Sequence, residues 1–219
     1  MSYPVNINVK GKIVIVAGGG SVARRKITGL LEVGAIVKVV APDFDPEIEM
    51  LEAEGRVSLR RGSFRPEDLD GAFLAFAATD DQSVNESLSK EAERRGILVN
   101  VADQPDLCTF TLPAVVRRGD LTISIATDGA CPAFAGTLRE ELEGLYGAGY
   151  VDSLEFFSRL RKKLIDAGWD SPRIKQAIRQ LYMDGIGEFI SAGREKDIRV
   201  LLELELGSDD FFPGLISEK

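Results

Sequence analysis

Short apolar runs alternate with amphipathic stretches through the first half of the chain. The amphipathic stretches predict helices over residues 22–33, over residues 47–54 and around the stripe formed by Val84, Leu88 and Ala92. The apolar runs predict strands over residues 13–17, 36–40, 57–61, 73–77 and 97–101. Because these strands are apolar throughout rather than alternating, both faces of their sheet must be covered, which is typical of a parallel sheet in an α/β fold.

The pattern changes after Asp103, where extended segments follow one another without helices between them. They cover residues 109–112, 115–116 and 121–126, and the turn at residues 117–120 predicts an antiparallel hairpin. From Pro132 onward the chain is predicted to be helical, with apolar stripes at helical spacing. The stripes are Phe134, Leu138, Leu142 and Leu145, then Leu154, Phe157, Leu160 and Leu164, and finally Ile174, Ile178, Leu181 and Tyr182.

Residues 18–23 read Gly-Gly-Gly-Ser-Val-Ala and fit the pattern G-x-G-x-x-G/A between a predicted strand and a predicted helix. In this dinucleotide-binding pattern Gly18 permits the tight turn, Gly20 lets the backbone approach a diphosphate, and Ala23 allows close helix packing. The N–H groups at the start of the helix then bind the anion. The alternative is a glycine turn without a ligand.

A carboxylate that binds the ribose is expected about 20 residues after the glycine motif. Asp43 follows the second predicted strand and is the candidate, although a solvated turn residue is the alternative. Because a carboxylate there repels a 2′-phosphate, Asp43 predicts NAD rather than NADP as the cofactor.

The composition limits the possible classes of function. Of the 219 residues 44% are hydrophobic, enough for a core, and the net charge of −8 argues against nucleic-acid binding. No apolar run is long enough for a transmembrane helix and no secretory signal is visible, so we expect a cytoplasmic protein with no membrane partner. The two cysteines, Cys108 and Cys131, are too few for a disulfide scaffold and lack the spacing of a metal site.

The chain has 0 histidines. Ser-His-Asp triads, Cys-His pairs and histidine metal sites are therefore excluded, and a proton must be moved by another side chain, by water or by the substrate. Asp103 is the candidate base because it follows the last strand of the predicted parallel sheet, where such sheets place their ligands. Its alternative is a capping role in the turn before Gln104 and Pro105. No metal site is predicted.

Several segments, with the glycine motif among them, together carry a family pattern. The segments are residues 18–26, 30–35, 77–81, 84–85, 99–103, 125–132 and 138–143, with Phe110 and Pro113. Together they resemble the precorrin-2 dehydrogenase family, the NAD-dependent enzymes of siroheme synthesis that occur alone or as the amino-terminal part of siroheme synthase. The sequence departs from this family at Cys131, where serine is usual, and at Asp128, where glycine or a neutral residue is common.

The resemblance implies an α/β protein with a Rossmann-like parallel sheet over residues 1–112 that binds NAD. It implies a small dimerisation region over residues 113–147, an α-helical module over residues 148–219, and a homodimer. The implied cofactor-binding residues are Gly18, Gly20, Ser21, Val22, Pro42, Asp43 and Thr79.

The resemblance also implies that NAD oxidises precorrin-2 to sirohydrochlorin, and that Asp103 accepts the proton that accompanies the hydride. Some relatives use the same aspartate to insert Fe(II) into sirohydrochlorin, and the sequence does not separate the two cases. Because the tetrapyrrole carries carboxylates, local positive charge must bind it to this acidic chain. The candidates are Arg117, Arg118 and Arg139, with Thr127 near the implied cleft; ordinary solvated arginines are the alternative.

Three cations follow the glycine motif, namely Arg24, Arg25 and Lys26. They are candidates for a phosphate contact or a dimer contact, and charge on a helix surface is the alternative.

Two other functions stay open from the sequence. A non-catalytic NAD-sensing module would share the Rossmann fold, because a fold alone does not fix a function. Such a sensor does not need the segments at residues 100–103 and 127–132. A chelatase that has lost the dehydrogenation step would insert Fe(II) or Co(II) without using NAD.

Overall fold

The computed structural model describes residues 2–216 and divides into two compact units, Met1–Leu112 and Pro113–Lys219. Met1 and residues 217–219, the last three positions of the predicted helical module, lie outside the described residues. The predicted hairpin and all of the later helices fall in the second unit.

The first unit is built on a parallel sheet of five strands in the order β3-β2-β1-β4-β5. The strands are β1 Ile13–Ala17, β2 Ile36–Ala41, β3 Val57–Arg61, β4 Leu74–Ala77 and β5 Leu98–Val101. The helices between them are α1 Ser21–Glu32, α2 Pro46–Ala53 and α3 Gln82–Arg94. The order reverses between β1 and β4, which makes this a Rossmann-like sheet with its switch point beside β1. The predicted α/β class with a parallel sheet is confirmed.

Both faces of the sheet are covered, as the apolar strands require. On one face Val14, Val16 and Phe76 pack against Ile27 of α1. On the other face the opposite strand positions pack against the apolar stripe of α3. Alternate strand residues therefore enter two separate cores, which explains why the strands show no polar face.

The chain after β5 differs from the prediction. Residues 109–112 are not a strand, because within this range only Thr109 bonds the backbone of β5 before the chain leaves the sheet. Its N–H donates to the Val99 carbonyl at 2.9 Å, and its Oγ1 accepts from the Val99 N–H at 2.7 Å. Cys108 bonds Val101 in the same way, with its Sγ 3.1 Å from the Val101 nitrogen. The segment returns along the outer edge of β5 instead of forming a strand.

The second unit begins with the predicted antiparallel hairpin, which is confirmed. Its strands are β6 Ala114–Arg118 and β7 Leu121–Ile125, with Val116 opposite Ile123. Gly119 has a φ of 57° in the turn, a conformation that glycine adopts without strain. The helices that follow are α4 Pro132–Leu145, α5 Gly149–Asp166, α6 Ser171–Met183, α7 Ile186–Ser191 and α8 Glu195–Leu206.

The core of the second unit comes from α5 to α8. Phe156, Leu160 and Leu164 of α5 are completely buried with apolar side chains of the later helices. The predicted stripe on α4 behaves differently, because Phe134 and Leu145 are 55% and 65% exposed. No helix in residues 2–216 combines the length and the apolar character that crossing a membrane requires.

Candidate functional site

The carboxyl ends of β1 to β4 surround a cavity of about 420 Å³. The predicted cofactor-binding residues all lie in its wall; they are Gly18, Gly20, Ser21, Val22, Pro42, Asp43 and Thr79. The cavity sits at the switch point of the sheet, where open α/β sheets bind their ligands. The structure thus brings the predicted set together, while the role of each residue remains a prediction.

The glycine turn is shaped by two close backbone approaches. Gly18 has a φ of 129°, and a Cβ at this residue would collide with the Ala78 carbonyl. A Cβ at Gly19 would collide with the Asp43 carbonyl. At Gly20, by contrast, a Cβ would meet nothing within 4 Å, so the missing side chain leaves open space at the start of α1. This is the space that a diphosphate would need.

The start of α1 offers backbone N–H groups to that space. Gly20 is the N-cap residue, and in the described chain no side chain caps the helix and no acidic residue occupies its first turn. Uncapped N–H groups and the positive end of the helix dipole favour an anion. The cradle therefore fits the diphosphate of a dinucleotide.

Asp43 follows β2 at the edge of the same cavity, and its side chain is exposed. The neighbouring Arg61 feels the charge of Asp43, but its guanidinium donates to Glu49 at 2.7 Å. The hydrogen bond that Arg61 donates to Glu49 is the main reason why the pKa of Arg61 is raised. Arg61 is thus paired directly with Glu49, and Asp43 contributes only the last of the charges that act on it.

The turn after β4 is held from inside the protein. Thr79 donates its hydroxyl to Oδ1 of the buried Asn85 at 2.8 Å, and Asn85 Nδ2 donates to the Thr79 carbonyl at 3.0 Å. Asp81 caps α3, and hydrogen bonds from the Ser83 hydroxyl and then from the Val84 and Ser83 N–H groups lower its pKa. The rigid turn fixes the wall of the cavity opposite Asp43.

The cavity wall also includes Gly62, Ser63 and Phe64, a segment that none of the sequence motifs covers. They follow β3, the strand that pairs with β2 at the edge of the sheet. The only signal in the sequence is their place after an apolar run. That signal becomes useful once the strand order is known.

Asp103 lies beyond β5, at the same edge of the sheet, but it is not part of the cavity wall. Its side chain is exposed and its backbone has a φ of 58°. Asp128, in the second unit, is the other non-glycine residue with positive φ in the described chain. Aspartate tolerates this left-handed conformation better than most residues, and such positions are common at functional sites.

Lys26 occupies a place that the sequence did not predict. Its Nζ donates to Asn100 Oδ1 at 3.0 Å and lies 5.1 Å from the centre of the Phe76 ring. Burial lowers the pKa of Lys26, while the charges of Cys108 and Asp103 act in the opposite direction. The ammonium of Lys26 thus points to β4 and β5, and the phosphate or dimer contact expected for it stays a prediction.

Arg24 is likewise directed to protein groups, since it forms ion pairs with Asp45 and Glu47 at the start of α2. These pairs join α1 to α2 beside the glycine turn. The backbone N–H groups of α1, rather than Arg24, are left to face an anion.

The second unit carries the remaining predicted residues. Arg139 is 32% exposed and forms ion pairs with Glu140 at 3.1 Å and Glu143 at 2.7 Å. Arg118 donates to the Glu143 and Tyr146 carbonyls at the end of α4, so it has a structural role in this chain. Arg117 is an exposed residue of the hairpin.

Thr127 belongs to the turn that precedes α4. Its Oγ1 accepts from the Cys131 N–H at 3.4 Å, and its carbonyl accepts from the Ala130 N–H at 2.8 Å. Cys131 and Cys108 are both free thiols. Within the described residues no group of three or more His, Cys, Asp or Glu side chains is arranged to hold a metal ion.

Comparison with known proteins places the site in a family. A family described as putative NAD(P)-binding matches residues 5–114. The solved structure of SirC, precorrin-2 dehydrogenase, superimposes with a TM-score of 0.70 at 32% identity, covering 82% of this chain and 89% of that one. The chain belongs to the precorrin-2 dehydrogenase family.

Longer relatives of this family member carry the name siroheme synthase. One from Methylobacillus flagellatus is 35% identical over 198 residues, which are 90% of this chain and 42% of the relative. One from Photorhabdus laumondii is 42% identical over 146 residues, which are 66% of this chain and 31% of the relative. The chain thus spans less than half the length of these siroheme synthases.

Proposed function

We propose that this chain is an NAD-dependent dehydrogenase that oxidises precorrin-2 to sirohydrochlorin in siroheme biosynthesis. One observation carries the proposal: the glycine-turn cavity and the exposed Asp103 lie at the same edge of one parallel sheet. Membership of the precorrin-2 dehydrogenase family supports the choice of substrate.

In this proposal the first unit binds NAD through backbone and carboxylate groups. The N–H groups at the start of α1 bind the diphosphate in the space beside Gly20, and Asp43 accepts hydrogen bonds from the ribose hydroxyls. The exposed Asp43 and the pairing of Arg61 with Glu49 favour NAD over NADP.

The reaction removes two hydrogens from precorrin-2. NAD, when bound, supplies the acceptor for the hydride, and the products are sirohydrochlorin, NADH and a proton. Asp103 accepts that proton as a carboxylate and releases it to solvent, since its side chain is exposed. With 0 histidines in the chain, a carboxylate at the ligand edge of the sheet is the base that fits best.

The second unit supplies substrate contacts and the dimer contact in this proposal. Arg117, Arg139 and Thr127 bind the carboxylates of the tetrapyrrole. The exposed Phe134 and Leu145 of α4 support a homodimer, because apolar side chains of this size gain stability from burial. The free cysteines and the use of NAD fit a cytoplasmic location.

The proposal is tested by anaerobic incubation of the purified protein with precorrin-2 and NAD. The expected result is NADH absorbance together with the spectrum of sirohydrochlorin, and omission of NAD should prevent both. Tight NAD binding without turnover of authentic precorrin-2 would instead identify a sensing module. Adding Fe(II) afterwards tests iron insertion, in which two pyrrole protons leave as the metal enters. Iron insertion without any need for NAD would identify a chelatase.

A further inference from the structure

The last two strands of the sheet hold a polar connection inside an otherwise apolar face. Phe76 of β4 and Asn100 of β5 are register partners, and both are buried. Lys26 reaches them from α1, with its ammonium 3.0 Å from Asn100 Oδ1 and 5.1 Å from the centre of the Phe76 ring. An ammonium that exchanges water for one amide and one aromatic ring loses solvation free energy, so another group must help to stabilise its charge.

Asn100 bonds both Lys26 and the segment that carries Asp103. Its Oδ1 accepts from Lys26, while its Nδ2 donates to the Phe110 carbonyl at 3.1 Å. The segment between β5 and Phe110 contains the left-handed Asp103 and is also held by Cys108, which bonds Val101. The amide orientation of Asn100 is therefore fixed by a cation on one side and by this segment on the other.

Lys26 and Asp103 also interact through their charges. Burial disfavours the ammonium, and Arg25 on the same helix adds to that effect. Cys108 and Asp103, from the segment after β5, favour the ammonium. The Lys26 ammonium is therefore held toward the segment after β5 by charge as well as by its hydrogen bond to Asn100.

We infer that Lys26 is a positioning residue for the dehydrogenation, which fixes the segment that carries Asp103 through its hydrogen bond to Asn100. This inference rests on the proposed function. It adds to that function a residue of α1, the helix whose first turn is proposed to bind the diphosphate. One helix would then contact both the cofactor and the segment that carries Asp103.

The test compares three variants with the wild-type protein in the NADH assay. Lys26→Met removes the charge and keeps the length of the side chain, and Lys26→Arg keeps the charge. Lys12→Met is the matched control, because Lys12 also lies over an aromatic ring, 5.7 Å from the centre of Phe73, at the opposite end of the sheet. Thermal unfolding of each variant checks that it is folded.

In Lys26→Met we expect kcat to fall about tenfold while the KM for NAD stays within about twofold, because the diphosphate contact is unchanged. Lys26→Arg, which keeps a cationic donor beside Asn100, should recover most of kcat, and Lys12→Met should leave kcat unchanged. A structural readout is the side-chain amide resonance of Asn100, which should shift in Lys26→Met alone.

Several results would overturn the inference. They are a wild-type kcat in Lys26→Met, an unchanged Asn100 side-chain resonance in Lys26→Met, and an equal loss of kcat in Lys12→Met. If Lys26→Met does not fold, Lys26→Gln takes its place with the same expectations. Inactivity of the wild-type protein would instead refute the proposed function, so the two failures are distinguishable.

Discussion

The two units of this protein use their charged side chains in opposite ways. In the first unit, Asp43 and Asp103 are exposed at one edge of the parallel sheet, and the backbone N–H groups of α1 point to the same edge. In the second unit, Arg118 binds carbonyl groups at the end of α4 and Arg139 is paired with neighbouring glutamates. The first unit therefore presents exposed carboxylates and backbone N–H groups at one edge of its sheet, whereas Arg118 and Arg139 of the second unit are bound to groups of that unit.

This difference follows from topology. A parallel sheet aligns the carboxyl ends of all its strands, so residues far apart in the sequence reach one edge. A hairpin followed by helices has no such common edge, and its surface cations lie among acidic helix neighbours. The first unit is thus expected to contain the residues whose loss stops the reaction, and the second those whose loss weakens it.

The sharpest challenge to this contrast is the substitution Asp103→Asn. Removal of the proposed base should lower kcat by about 10²–10⁴-fold, with the KM for NAD nearly unchanged. The assay is NADH formation from precorrin-2. Asp106→Asn is the control, since Asp106 is an exposed aspartate in the same segment. A rate near that of the wild type in Asp103→Asn would remove the aspartate from the mechanism.

The glycine turn offers a comparison within the first unit. Gly18→Ala should destabilise the protein by about 1–3 kcal/mol, because the residue has positive φ and its Cβ would collide with the Ala78 carbonyl. Gly20→Ala should destabilise the protein by about 1 kcal/mol or less, because alanine is the poorer N-cap residue, yet raise the Kd for NAD about tenfold or more, because its Cβ would enter the diphosphate space. Thermal unfolding and calorimetric titration measure the two effects. Unchanged NAD affinity in Gly20→Ala would place the diphosphate elsewhere.

The choice of cofactor gives a smaller expected effect. Asp43→Asn should shift the ratio of kcat/KM for NAD over NADP about tenfold toward NADP, because repulsion of the 2′-phosphate is removed. Asp80→Asn is the matched control, because Asp80 is another exposed carboxylate in the wall of the same cavity. An equal shift in both variants would show a general effect of charge and not recognition by Asp43.

The smallest effect is expected in the second unit. If Arg139 binds a substrate carboxylate, it must exchange Glu143 for the ligand, which is feasible because exposed pairs contribute only about 0.2–1 kcal/mol. Arg139→Gln should therefore raise the KM for precorrin-2 about threefold, and Glu143→Gln should lower it. Arg159→Gln, in a similar pair with Glu155 on α5, is the control. A KM that does not respond to either change at α4 would exclude Arg139 from the substrate site.

The fold of the first unit could be predicted because the apolar runs mark the strands, and because Gly34 and Gly96 mark the ends of α1 and α3. Residues 57–61 are a strand over the predicted range, although the run Val-Ser-Leu-Arg-Arg is weakly apolar. The return of Thr109 along β5 could not be predicted, since a single residue that bonds a strand edge leaves no periodic pattern.

The candidate site could be predicted only where a motif has a fixed spacing. Gly18, Gly20 and Asp43 follow from the dinucleotide pattern and lie in one cavity. The sequence makes Lys26 a candidate for a phosphate or dimer contact, with surface charge as the alternative, because helix spacing alone does not tell which strands a side chain reaches. Its contact with Asn100 depends on where α1 lies relative to β4 and β5, which is a property of the tertiary structure.

The return of the chain beside β5 has a consequence for solubility. The outermost strand of a sheet can recruit strands from other molecules and start aggregation. Here the outward groups of Val99 and Val101 are already bonded by Thr109 and Cys108. The segment that carries Asp103 thus also covers the exposed edge of β5. A mutation that loosens this segment should therefore lower the yield of soluble protein as well as the activity.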